Sequence, residues 1–227
     1  MKGIFEMSKK KYKNIEFYPA PKDTIKIGID VDGVLDLYKA YEWVENLLPE
    51  DINQNDFYKD IKKYEDFETT FKKFNINNAL DWWKRDDLYD DSNELAYPTI
   101  VLIDMLIRRY SPFCDIEWNI ISDCFKEHER SKLKFLQRVF PFSFKFYNKK
   151  VKSDVPCDVY IDDKISNLRD CYERHGSYTI LVQHFYNRVI HSGDFYCPDE
   201  LFDITEHELI LNGFENEVKN LKGSEGV

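Results

Sequence analysis

Residues 25–35 read Ile25-Lys26-Ile27-Gly28-Ile29-Asp30-Val31-Asp32-Gly33-Val34-Leu35, a short, mostly apolar run that stops on two carboxylates and a glycine. The run has the length of a buried strand. Asp30 and Asp32 share a facing, and Gly33 permits a sharp turn behind them. A strand that ends in acidic residues and a turn is the way a parallel α/β sheet presents polar groups to a ligand.

Four further apolar runs of strand length follow, at Trp118–Ile121, Phe144–Tyr147, Val159–Ile161 and Tyr178–Val182. Helical patterns separate them. Pro98–Tyr110 has proline in its first turn, Lys126–Val139 places Leu133 and Leu136 on one face with Phe140 beyond, and Ile165–His175 is stopped by Gly176. Alternating strands and helices predict an α/β fold with a parallel five-stranded sheet of Rossmann-like type.

Between Leu35 and Pro98 the alternation lapses over about sixty residues, too long for a structureless loop in a compact domain. Tyr41, Val44 and Leu48 recur at helical spacing, as do Tyr64, Phe67, Phe71 and Phe74, so a small helical cap is expected after the first strand. The chain then divides into a core, residues 1–35 and 97–227, and a cap insertion, residues 36–96. Thr205-Glu206-His207-Glu208 is a capping box before Leu209, Ile210 and Leu211, which predicts a closing helix.

Composition narrows the function classes. The 227 residues are 43% hydrophobic and 16% aromatic, with no apolar run long enough to span a bilayer. The basic start, Met1 to Phe17, lacks the apolar stretch of an export signal, so a cytoplasmic location and no membrane association are expected. Five scattered cysteines without a C-x-x-C pair argue against disulfide or zinc frameworks. A net charge of −10 disfavours an extended nucleic-acid partner. The histidines His128, His175, His184, His191 and His207 show no metal-ligand spacing and read as surface or supporting residues.

The chemistry rests on a set rather than on one motif. Ser122 ends the second run, Lys152 precedes the fourth, and Asp162-Asp163 ends the fourth. All fall at the ligand-binding end of the predicted sheet. A calcium loop starting at Asp30 would want oxygen ligands at Val34 and Tyr41 and glycine at Leu35, and it fails on all three.

With Asp30-Val31-Asp32-Gly33, Ser122, Lys152 and Asp162-Asp163 in this order, the chain resembles the haloacid dehalogenase-like (HAD) phosphohydrolases. Within them it is most similar to the 5′(3′)-deoxyribonucleotidases, which carry D-x-D-G-V-L, a helical cap and a lysine ten residues before I-D-D, as Lys152 stands before Asp162. Phe185-Tyr186-Asn187-Arg188 looks like that family's Asn-containing turn after the last strand. Asp123 and Cys124 depart from the small neutral residues and proline that the family prefers after its Ser/Thr.

The resemblance implies that Asp30 attacks phosphorus to form an aspartyl-phosphate, while Asp32 protonates the leaving oxygen and then activates water. It implies Mg2+ held by the Asp30 carboxylate, the Asp32 backbone carbonyl and Asp162, with Asp163 through water. Ser122 would donate to a phosphoryl oxygen, Lys152 would offset its charge, and Asp123 would lie near the phosphate. The implied substrate is a small phosphorylated metabolite, a nucleoside monophosphate above all, and a homodimer is compatible with it. Trp82 and Trp83, with Phe67 and Phe71, offer a face on which a base could stack, worth about 1–3 kcal/mol. The competing reading, that most of these aromatics form the cap's own core, carries more weight. Two other functions stay open: a phosphatase for nucleic-acid ends or sugar phosphates, which a basic rim would favour, and a non-catalytic nucleotide-binding module on the same fold.

Overall fold

The computed structural model describes residues 23–35, 47–49, 52–53, 56–57, 67–76, 81, 85–90, 95–184 and 199–203. In chain order the elements are β1 (Thr24–Ile29), α1 (Phe67–Lys73), α2 (Tyr97–Tyr110), β2 (Asp115–Ser122), α3 (Lys126–Val139) and β3 (Phe144–Asn148). A 3-10 turn, Lys152–Asp154, leads to β4 (Val159–Asp162), α4 (Ile165–His175), β5 (Tyr178–Gln183) and β6 (Glu200–Asp203). The strands form one parallel sheet in the order β3-β2-β1-β4-β5-β6.

The sheet therefore has six strands, not the five expected. Glu200-Leu201-Phe202-Asp203 is a four-residue edge strand paired to β5 from Ile180↔Glu200 to Gln183↔Asp203. Phe202 is buried while Leu201 faces out, so the segment has no apolar run to announce it. An edge strand buries one face and takes its identity from the neighbour it pairs with.

Side chains alternate across the sheet, as the two-residue strand period requires. Ile120, Ile161 and Ile180 join Leu102, Leu106 and Phe135 of α2 and α3 on one face, while Ile121, Tyr160 and Leu181 join Ile165, Leu168 and Cys171 of α4 on the other. Apolar surface thus covers both sides of the central strands. β4 is buried at all four positions. Gly28 of β1 lies on the α4 side, where a Cβ would meet Ile121, Tyr160 and Cys157 at 3.0, 3.0 and 3.2 Å. The predicted stop of α4 is also present: Gly176 is left-handed, with its N–H donating to the Tyr172 carbonyl.

Within residues 36–96 only parts are described. Phe57 is fully buried, stacked on Phe71 and edge-on to Phe74, so Phe71 serves a small aromatic core and offers no open face. Leu88, Tyr89 and Leu95 belong to the main core cluster beside α2 and α3. Trp82, Trp83, the turn at Phe185–Arg188 and the helix expected after Thr205 lie outside the described residues. Among the described residues no helix is long and apolar enough to cross a membrane.

Candidate functional site

The strand order reverses direction at β1, whose neighbours are β2 and β4, and the crevice at the carboxyl ends of these three strands is where such a sheet binds its ligands. Asp30 follows β1, Ser122 ends β2 and Asp162 ends β4. The Asp30 N–H donates to the Ile161 carbonyl at 3.0 Å, which fixes the register between the first and last of these.

The turn after Asp30 is held from three sides. Gly33 takes φ 82, a conformation that favours glycine. The His184 ring bonds the Gly33 carbonyl oxygen at 2.6 Å, Thr99 donates its hydroxyl to the Val34 carbonyl, and the Ala96 N–H donates to that of Leu35 at 3.0 Å. His184, at the end of β5, is buried and thus supports the site from behind.

Asp30, Asp162 and Asp163 are buried, each with a carboxylate oxygen within 4.8 Å of the others. Lys152 reaches into this group. Its ammonium lies 2.5 Å from Asp30 Oδ1 and 3.8 Å from Asp162 Oδ2, and it donates to the Ile121 carbonyl at 2.6 Å. Asp30 also accepts from the Val31 N–H at 2.7 Å. Asp162 accepts from the Lys164 N–H at 2.8 Å and from the Asn167 amide on both oxygens.

Burial is the main influence on these carboxyls. It pushes Asp30 up to about 6, against the pull of Lys152, and the negative Asp162 and Asp32 add to the rise. Asp162 is likewise pushed up to about 6 by burial and by Asp163, again opposed by Lys152. Burial would lower Lys152, but Asp30 and Asp162 outweigh it and hold the ammonium charged. The site gathers three buried carboxyls, two of them beside the Lys152 ammonium. Its donor set is all hard oxygen, which suits a magnesium-sized cation.

Asp32 does not join that cluster with its side chain. Its Oδ2 accepts from Lys132 at 2.6 Å and its Oδ1 accepts from the Tyr89 hydroxyl. Lys132 also donates to Ser122 Oγ at 2.7 Å, and its side chain is fully buried. Burial alone would raise Asp32, yet the Lys132 charge and hydrogen bond, helped by Tyr89, hold it below the ordinary carboxylate range.

Of the residues singled out from the sequence, Asp30, Ser122, Lys152, Asp162 and Asp163 come together at one end of the sheet, with Asp32 beside Ser122 through Lys132. Asp123 is exposed on the loop after β2. That loop is clamped by the Asn148 side chain, which accepts from the Cys124 N–H at 3.2 Å and donates to its carbonyl at 3.0 Å. Burial pushes the Cys124 thiol up to about 11, which disfavours a thiolate nucleophile.

Lys132, Tyr89 and Asn167 were not among the residues read from the sequence, whereas His184 was read there as a surface or supporting residue and is buried. Lys132 lies on the inward face of α3 with His128, Ser131, Phe135 and Leu136, whereas Leu133, expected on that face, is only half-buried. The signal was the placement of a lysine between His128 and Leu136 at four-residue spacing. No protein-family model matches the chain, and no curated protein matches it either.

Proposed function

We propose that the chain is a magnesium-dependent phosphomonoester hydrolase that works through an aspartyl-phosphate on Asp30 and acts on nucleoside monophosphates. The observation that carries the proposal is the meeting of Asp30, Lys152, Asp162 and Asp163 at the carboxyl ends of β1 and β4, one strand away from Ser122. The motif order shared with the HAD phosphohydrolases supports the same reading, and the nucleotide preference rests on the likeness to deoxyribonucleotidases.

A phosphate monoester is anionic and resists attack, so the site must neutralise charge and align a nucleophile. Asp30 is the nucleophile, held by Lys152 and the Val31 N–H. Its oxygen bonds to phosphorus as the ester P–O bond breaks, and the ester oxygen takes a proton from Asp32. Water then attacks phosphorus, the Asp30–phosphorus bond breaks, and Asp32 accepts the proton of the water. The resting pair with Lys132 favours the ionised form of Asp32 that this second half uses; the first half uses the acid form. Ser122 and Lys152 bind phosphoryl oxygens. Asp30, Asp162 and Asp163 would hold Mg2+, which supplies neutralisation of phosphoryl charge when bound.

The insertion is proposed as a cap over this mouth. One observation favours a second substrate, a phosphorylated nucleic-acid end. Although the chain carries −10 net charge, Lys149, Lys150 and Lys164 are exposed on the loops after β3 and β4, and Lys126 is exposed at the start of α3. Lys149 sits against the site, its N–H donating to the Ser122 carbonyl at 2.9 Å. The test is phosphate release from nucleoside monophosphates, sugar phosphates, an aryl phosphate and 5′-phosphorylated oligonucleotides, each with and without magnesium. Magnesium-dependent turnover led by nucleoside monophosphates is expected. Preference for oligonucleotide ends, lost as salt is raised, selects the second substrate, and no release from any of them refutes the hydrolase.

A further inference from the structure

Asp32 is gripped at both oxygens by donors that come from distant parts of the chain. Lys132, on α3, donates to Oδ2 at 2.6 Å, and the Tyr89 hydroxyl donates to Oδ1. Tyr89 is itself fixed to α3 by several contacts. Its N–H donates to Ser131 Oγ at 2.8 Å, its carbonyl accepts from Arg138 at 3.2 Å, and its ring stacks on Phe135 with centroids 5.5 Å apart. The Lys132 ammonium also lies over the Tyr89 ring, 5.3 Å from its centre.

A carboxylate on a turn has two free side-chain torsions, and a misplacement of about 1 Å at a reacting group can cost about 10²-fold in rate. Two donors on two oxygens remove both torsions at once. The two donors reach different oxygens, and Lys132 also bonds Ser122.

We propose that Tyr89 and Lys132 are positioning residues that aim Asp32 at the ester oxygen, with Tyr89 acting through Asp32 and Lys132 also joining Asp32 to the phosphate-binding Ser122. This rests on the reading of Asp32 as the group that protonates the leaving oxygen. In that step the ester P–O bond breaks while Asp30 bonds to phosphorus, and the proton of Asp32 passes to the departing oxygen. An alkoxide needs this proton; a nitrophenolate leaves without it. Poor aim at Asp32 therefore costs rate in proportion to the basicity of the leaving group, whereas a packing defect costs every substrate alike.

The test compares kcat/KM, which covers steps up to phosphoryl transfer, for a nucleoside 5′-monophosphate and for 4-nitrophenyl phosphate. Tyr89→Phe is expected to lower kcat/KM on the nucleotide by about 10- to 100-fold while changing it on the nitrophenyl ester less than about threefold. In an Asp32→Asn background Tyr89→Phe should cause no further loss, because its effect passes through the missing carboxyl. Lys132→Gln should lower both esters, through Ser122, with the larger loss on the nucleotide. Equal losses on the two esters in both variants, no loss in Tyr89→Phe, or an additive loss with Asp32→Asn overturns the positioning role while leaving the hydrolase intact. Wild-type protein that turns over neither ester overturns both.

Discussion

Lys152 stands 2.5 Å from Asp30 with both side chains buried, so the proposed nucleophile and its counter-charge form an ion pair closed off from bulk water. The same ammonium is 3.8 Å from Asp162, leaving one lysine to serve two carboxyls at the ends of neighbouring strands. A buried pair of this kind adds little net stability, and removing one partner strands the other. Its value lies in holding charge where a reaction would use it.

Asp30→Asn keeps the shape of the side chain and removes both the nucleophile and a cation ligand. Turnover should fall by about 10³-fold or more while far-UV circular dichroism and cooperative unfolding are retained. Steady-state rates beside a melting curve check this. Activity within tenfold of wild type would rule out the covalent route.

The pH response of the cation-free protein follows from Asp30 and Asp162, both raised from 3.8 to about 6. Between these values the folded chain holds protons that the unfolded chain has released, so the contribution of these groups to stability falls as pH rises. The penalty is complete above about pH 6 and relieved below about pH 4. A cation offsets it only where the carboxyls are ionised. Magnesium should therefore raise the melting temperature more at about pH 7.5 than at about pH 5. Equal or reversed gains in a paired melting series would show that these carboxyls do not bind it.

Gly28→Ala should destabilise without touching the chemistry. The new methyl would meet Ile121, Tyr160 and Cys157 at 3.0–3.2 Å, in a packed layer where small-to-large changes cost about 1–3 kcal/mol. Denaturant unfolding reads the loss as a lower midpoint. An unchanged midpoint would mean that β1 and α4 can part at no cost.

Arg109 of α2 makes a two-pronged pair with Glu200 of β6, at 2.8 and 3.2 Å, with both side chains about three-quarters buried. Tyr178 donates to the same Glu200 at 3.2 Å. Arg109→Met should cost about 2 kcal/mol, because a charged hydrogen-bonding group loses its partner. Hydrogen exchange should quicken in β6 before it does in β1. Uniform exchange across the sheet would show that the pair does not secure the edge.

The central strands and α2, α3 and α4 were legible in residue order because their signals are local. An apolar run bounded by turn residues can be read without knowing what packs on it, and so can Gly176 at the end of α4. The gathering of Asp30, Ser122 and Asp162 was legible for a geometric reason: in a parallel sheet, the residues that end successive strands arrive on the same side. β6 was not legible, since Phe202 is its one inward apolar side chain and its strand form depends on pairing with β5. Nor were Lys132 and Tyr89. A lysine on a helix ordinarily faces water, and its burial here is set by Asp32 and Ser122, which lie 100 and 10 residues away. Order along the chain thus determined which chemistry each strand end carries. Folding alone decided which charges face one another, because the free energy of a buried charge depends on neighbours that only the packed chain supplies.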